Sequence, residues 1–102
     1  MKKLPEELLN ILKTKGFSKF QISVYRATFA IPPGQTRSYS QIATHISRPT
    51  AVRAVANALA KNPLPLVIPC HRVIKKDGNI GGYRWGEDNK KKLLAKEKIF
   101  LS

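Results

Sequence analysis

Apolar residues recur along this chain at helical spacing, and proline, glycine and capping sequences cut the pattern into five helical stretches. Leu8, Ile11 and Leu12 follow Pro5, Glu6 and Glu7 and precede Gly16, which predicts a short amphipathic helix with acids at its positive end. Ser18 and Gln21 have capping-box spacing, and Phe20, Val24, Ala27 and Ile31 continue as an inward stripe that stops at Pro32-Pro33-Gly34. Ser38 and Gln41 repeat the capping-box spacing ahead of Ile42, Ala43 and Ile46, and Ser47-Arg48-Pro49 breaks that helix. Thr50 stands where it can cap a fourth helix reaching Lys61, with Val52, Val55, Ala56 and Leu59 inward. Arg53, Asn57 and Lys61 share its opposite face, flanked by Ala54 and Ala58.

Asn62-Pro63 ends the fourth helix, and the apolar, proline-rich run from Leu64 to Pro69 reads as a buried extended segment. Val73-Ile74, the turn Lys75-Lys76-Asp77-Gly78 and Asn79-Ile80 predict a small hairpin or wing, followed by Gly81-Gly82. Glu87 to Leu101 is a terminal helix with Leu93, Leu94, Phe100 and Leu101 inward and Glu97 on the same face. Helix, tight turn and helix in the middle of the chain form a helix-turn-helix pattern. The expected fold is mainly α, a winged helix-turn-helix with a small β-wing. Residues 1–102 are expected to form one domain, with 1–17 as a helical extension. The alanines beside Arg53 leave room for close approach to a groove; the plainer reading is that they only favour helix.

Length and charge sharpen this picture. At 102 residues, folding buries about 60 to 65 % of the unfolded surface, enough for one modest core. With 19 Lys and Arg against 6 Asp and Glu, the formal charge is +13, and no acid occurs from Leu8 to Lys76. A polyanion meets no like charge across that stretch, which favours nucleic acid as the partner. A basic solubilising surface, or a ribosomal or membrane-surface partner, is the alternative. One cysteine excludes an internal disulfide, two histidines argue against a structural zinc site, and no apolar run approaches the roughly 18 residues of a membrane span. No metal, no cofactor and no membrane association are expected, and the expected location is the cytoplasm, at the nucleoid in a prokaryote.

Candidate chemistry is concentrated at Pro69-Cys70-His71-Arg72. A lone cysteine is ordinarily a buried filler. Here an imidazole can take the thiol proton, and the cations Arg72 and Lys75 favour the nucleophilic thiolate. Neighbours in sequence point differently, so a water-mediated contact between Cys70 and His71 is favoured over a direct one. Glu97, an acid on an otherwise apolar face, is the candidate to orient the imidazole; its alternative is a surface pair with Lys90 or Lys96.

Ser38-Tyr39-Ser40-Gln41-Ile42-Ala43, Arg53-Ala54-Val55, Asn62-Pro63, Ile68-Pro69-Cys70-His71-Arg72-Val73-Ile74 and Gly81-Gly82-Tyr83-Arg84-Trp85-Gly86 occur in that order. Together they resemble the C-terminal domain of the O6-alkylguanine-DNA alkyltransferases, from about Phe20 to Glu97. The resemblance implies direct reversal of O6-alkylguanine in double-stranded DNA, with the alkyl group moved onto the protein's own cysteine in a single turnover by a protein expected to be monomeric. It implies that Cys70 is the acceptor, His71 the base acting through a water, and Glu97 the carboxylate that orients it. Tyr39 is implied to aid extrusion and to donate to guanine N3, and Arg53 to fill the gap left by the flipped nucleotide.

The resemblance also makes Asn62 a hinge between the recognition helix and the reactive loop, and the carbonyls of Cys70 and Val73 acceptors for the guanine amino group. Tyr83 falls on the loop closing the pocket, to which Pro65 and Arg84 are also assigned. Arg53, Ala54, Asn57, Ala58, Lys61 and Arg72 are the expected DNA contacts. Two departures stand out: family members generally carry a further N-terminal domain, and Arg84-Trp85 replaces a small hydroxyl residue and glycine found in some members, which is expected to narrow the range of alkyl groups. Two other readings remain. One is an alkyltransferase-like lesion sensor, which has tryptophan in place of the cysteine. The other is a winged-helix regulator, which needs base-reading side chains where this chain has mostly alanine.

Overall fold

The computed structural model describes residues 4–63, 67–75 and 87–101, with side chains of the last helix described from Lys90 to Glu97. Five helices occur among these residues: α1 (Glu6–Thr14), α2 (Lys19–Phe29), α3 (Tyr39–His45), α4 (Val52–Ala60) and α5 (Glu87–Leu101). Two short strands, β1 (Arg37–Ser38) and β2 (Val73–Ile74), and a 3-10 turn at Cys70–Arg72 complete the order.

Helix starts and stops follow the local chemistry. Ser18 and Ser38 each accept from the backbone N–H of a glutamine three residues on, and that glutamine's side chain accepts from the serine's own N–H, so both capping boxes form. At the end of α1, Gly16 takes φ 84° while Phe17 N–H returns to the Leu12 carbonyl at 3.2 Å, the geometry of a Schellman stop. The end of α3 is built the same way, with Arg48 N–H on the Ala43 carbonyl at 2.8 Å. There the left-handed position is taken by Ser47, at φ 62°. The expected cap of α4 differs: the helix begins after Ala51, with no side-chain cap, so Thr50 does not fill that role.

The core gathers Leu4 and Leu12 of the N-terminal segment with Ile22, Val24, Tyr25, Ala27 and Ile31, Ile42 and Ala43 of α3, Val55, Ala58 and Leu59 of α4, and Ile68, Cys70 and Val73. Full burial of a leucine such as Leu12 contributes about 2 kcal/mol, so the segment before α2 belongs to the core rather than trailing from it. The inward face of α4 is rotated from the expected one. Val52 is exposed and Ala56 half-buried, while Ala58 lies in the core. Ile11, expected inward on α1, is also exposed.

β2 pairs in parallel with β1, Arg37 opposite Val73 and Ser38 opposite Ile74. That pairing joins the entry of α3 to the exit of the Cys70 turn. The expected turn and return arm of the wing, Lys76 to Ile80, lie outside the described residues, as do Leu64-Pro65-Leu66, Gly81 to Gly86 and the side chains of Phe100 and Leu101.

Candidate active site and nucleic-acid interface

Cys70, His71 and Arg72 form one 3-10 turn held between Ile68 and β2, with Cys70 N–H on the Ile68 carbonyl at 2.7 Å and Arg72 N–H on that of Pro69 at 2.9 Å. Successive residues of so tight a turn point about 120° apart, so Cys70 and His71 face different partners. Cys70 is buried at 5 % exposure, and His71 likewise.

Glu97, on α5, organises the surroundings of the turn. Its Oε1 lies 2.6 Å from His71 Nε2 and 2.7 Å from Arg72 Nη2, and Arg72 Nε donates to both carboxylate oxygens at 3.0 and 3.1 Å. Gly34 N–H reaches Oε2 at 3.3 Å, and Arg72 Nη1 donates to the Ile31 carbonyl at 2.8 Å. One carboxylate thus ties the loop after α2, the Cys70 turn and α5 together. Burial alone raises Glu97; hydrogen bonds from Arg72, His71 and Gly34 outweigh it and hold the carboxyl at about 2. Burial lowers His71 from its ordinary value despite Glu97, aided by the cations Arg72 and Lys90. The resulting pair is an ionised carboxylate and a neutral imidazole. An ionised acceptor at Nε2 requires the proton on that nitrogen, which makes Nδ1 the basic one. Nδ1 is buried and has no hydrogen-bond partner among the described residues.

Arg72 was expected on DNA. Its guanidinium is instead spent on Glu97 and Ile31, at 14 % side-chain exposure, so its role in this arrangement is structural. Ala58, expected on the same surface, is 3 % exposed, and its carbonyl accepts from Tyr25 on α2. Arg53, Ala54, Asn57 and Lys61 are exposed along α4. Asn62 is fully buried, and its Nδ2 donates to the Ile68 carbonyl at 2.8 Å, linking the exit of α4 to the residue that receives Cys70 N–H. Tyr39 is half-buried in the first turn of α3; burial, then the charge on Cys70, raises its hydroxyl. Pro65, Tyr83 and Arg84 lie outside the described residues.

Lys90, weighed only as a surface partner for Glu97, is fully buried. Its Nζ donates to the Val73 carbonyl at 2.6 Å and lies 5.8 Å from the centre of the Tyr39 ring. Lys90, Leu94 and Glu97 are spaced i, i+4 and i+7, and this periodicity is the signal in the sequence that puts the lysine on the inner face, which the expectation of a surface pair missed. A groove of about 220 Å³ between α2 and α3, lined by Ala27, Ile31, Arg37, Gln41 and His45 among others, includes neither Cys70 nor His71. Among the described residues no cluster of three or more metal-binding side chains occurs, and no helix is long and apolar enough to cross a membrane.

A mainly helical domain with a helix-turn-helix, in which Cys70 and His71 are buried and Glu97 closes on His71, defines a helix-turn-helix domain that carries a protected thiol. Residues 19–99 match the family described as 6-O-methylguanine DNA methyltransferase, DNA binding domain, and the chain belongs to that family. It is 51 % identical over 81 residues to the inducible methylated-DNA--protein-cysteine methyltransferase of Bacillus subtilis, covering 79 % of this chain and 45 % of that protein. The crystal structure of Mycobacterium tuberculosis OGT in complex with DNA superposes with TM-score 0.80 at 44 % identity, over 81 % of this chain and 52 % of that one. S. pombe Atl1, in complex with damaged DNA containing O6-carboxymethylguanine, superposes at 0.72 and 31 % identity, over 79 % and 77 %. The chain spans about half the length, or less, of the curated relatives it matches.

Proposed function

We propose that this protein repairs O6-alkylguanine in double-stranded DNA by taking the alkyl group onto Cys70 in a single-turnover reaction. The observation that carries this reading is the 2.6 Å contact between His71 Nε2 and Glu97 Oε1, which leaves Nδ1 as a buried base one residue from the only cysteine.

The chemistry follows from that tautomer. Nδ1 accepts the Cys70 proton through one water, and Glu97 stabilises the imidazolium that results. The thiolate attacks the alkyl carbon; an S–C bond forms as the C–O6 bond breaks, and the bonding pair stays on the purine. Tyr39 donates a hydrogen bond to guanine N3 as that charge develops, and the proton held by His71 balances it until the base is released. A thioether is not reduced by thiols, so each molecule reacts once.

An O6-alkyl group inside a duplex is out of reach of a buried sulfur. The nucleotide must be extruded at a cost of a few kcal/mol, which Arg53 offsets by filling the vacated stack. Ala54, Asn57 and Lys61 extend the same exposed face of α4, and the excess of positive charge draws in the phosphates. The carbonyls of Cys70 and Val73 receive the guanine amino group. The location that goes with this reading is the cytoplasm, at the nucleoid in a prokaryote.

The test is a mass measurement. Incubated with a duplex containing O6-methylguanine, the Cys70 peptide should gain one methyl group per protein, and Cys70→Ala should bind the duplex without gaining any. Tight binding with an unchanged mass would instead support a lesion sensor, a reading that Cys70 argues against because such a sensor has tryptophan at that position.

A further inference from the structure

Tyr25 has no part in the chemistry above, yet it is fully buried at the centre of α2 and spends its hydroxyl on the far helix. Tyr25 Oη donates to the Ala58 carbonyl at 2.7 Å. Ala58 opens the last turn of α4, where the hydrogen bonds tighten: Lys61 N–H returns to Ala58 at 3.1 Å, and Asn62 N–H to Leu59 at 3.2 Å. In a regular α-helix the Asn62 N–H serves the Ala58 carbonyl. Here that donor has moved to Leu59, and the Ala58 carbonyl accepts from Lys61 N–H and, on its second lone pair, from the tyrosine hydroxyl.

The tightened turn aims Asn62 at the Ile68 carbonyl, 2.8 Å from Nδ2, and the same carbonyl receives Cys70 N–H at 2.7 Å. A continuous path therefore runs from Tyr25 Oη through the exit of α4 and Asn62 to the backbone of Cys70. The ring is fixed as well. Phe17, from the segment before the matched residues 19–99, meets it edge-on with centroids 5.5 Å apart at 81°. Burial, then the charge on Cys70, pushes the Tyr25 hydroxyl up to about 12, so it remains a donor throughout the working pH range.

We propose that Tyr25 is a positioning residue that sets the exit of α4 and, through Asn62, holds the Cys70 turn in register with the DNA-facing helix. This rests on the alkyl-transfer reading and adds a residue to it.

Tyr25→Phe keeps the ring and its contact with Phe17 and removes only the hydroxyl. At saturating O6-methylguanine duplex, and at a temperature where the variant is fully folded, methyl transfer should be about tenfold slower, as a slight misplacement of the nucleophile implies. Affinity for undamaged duplex and the rate at which iodoacetamide alkylates Cys70 should each stay within about twofold, because neither α4's exposed face nor the thiol is altered. Thr28→Val is the control: it removes a buried hydroxyl bonded at 2.8 Å to the Val24 carbonyl within α2, without touching α4. It should lower the melting temperature and leave the transfer rate unchanged.

Transfer at the wild-type rate in Tyr25→Phe, or equal slowing in Thr28→Val, would overturn the assignment. So would an equal loss of iodoacetamide reactivity, which would put the effect on the thiol itself. If the wild-type protein takes no methyl group, the alkyl-transfer reading fails, and amide hydrogen exchange tests the positioning separately. Exchange at Asn62 and Cys70 should be faster in Tyr25→Phe and unchanged in Thr28→Val; equal behaviour of the two variants would reject it.

Discussion

His71 and Glu97 stand 26 positions apart, and their side chains meet at 2.6 Å on the inner side of α5. The contact does two things at once. It assigns the imidazole proton to Nε2, and it satisfies a carboxylate that is 16 % exposed and also clamped by Arg72.

Glu97→Gln is expected to separate those two effects. The amide leaves the Arg72 guanidinium half-buried without its counter-charge, for a loss of about 3 kcal/mol in denaturant-induced unfolding. It also removes the anion that stabilises the imidazolium. Single-turnover methyl transfer, measured where the variant remains folded, should fall by about 100-fold. A variant that unfolds earlier yet transfers at the wild-type rate would remove Glu97 from the chemistry.

Acid should destabilise the fold in two stages. Burial lowers His71 in the folded state, so its contribution is complete above the ordinary histidine value and is lost as pH falls and the unfolded chain takes up the proton first. Glu97 is also depressed, from 4.5 to about 2, and its contribution is present above the unfolded value and lost as pH falls between the two. Stability against urea should therefore decline below about pH 6.5 and more steeply below about 4.5. In Glu97→Gln the steeper part should disappear.

Ser47→Gly is expected to stabilise. Ser47 holds φ 62° at the stop of α3, a conformation that costs a serine about 1 kcal/mol and a glycine almost nothing, while glycine's larger unfolded-state entropy takes some of that back. The net gain should be about 0.5 kcal/mol, read as a rise in melting temperature. Gly16 already occupies the equivalent position after α1. A fall in melting temperature would mean that the Ser47 side chain contributes something the geometry of the stop does not explain.

Arg53→Ala should distinguish extrusion from transfer. Arg53 is exposed on α4, an element separate from the Cys70 turn. Transfer from a duplex should slow by about 10- to 100-fold, consistent with losing a few kcal/mol of compensation for unstacking, and transfer from the free alkylated base should change far less. Equal losses on both substrates would contradict its assignment as the group that fills the stack.

The sequence by itself settled what local rules govern. Both capping boxes, the glycine stop of α1, the bounds of α5 and the exposed line Arg53-Asn57-Lys61 depend on neighbours within about one helical turn, so spacing alone located them. Pro-Cys-His-Arg-Val pointed to the chemistry for a similar reason: the motif lies in one short segment. Periodicity also put Glu97 on the inner face of α5, but it left the choice between His71 and a surface lysine open.

Only the tertiary structure decided which partners those side chains take. Glu97 meets His71 and Arg72 because α5 lies against the Cys70 turn, and the same packing turned Arg72 from an expected DNA contact into a clamp. The parallel pairing of β1 with β2, the burial of Ala58 under Tyr25 and the donation of Lys90 to Val73 join residues 36, 33 and 17 positions apart. No helical or strand period reaches across such separations. The deciding quantity there is the cost of leaving a buried donor or charge unpaired, and that exists only once the segments have come together.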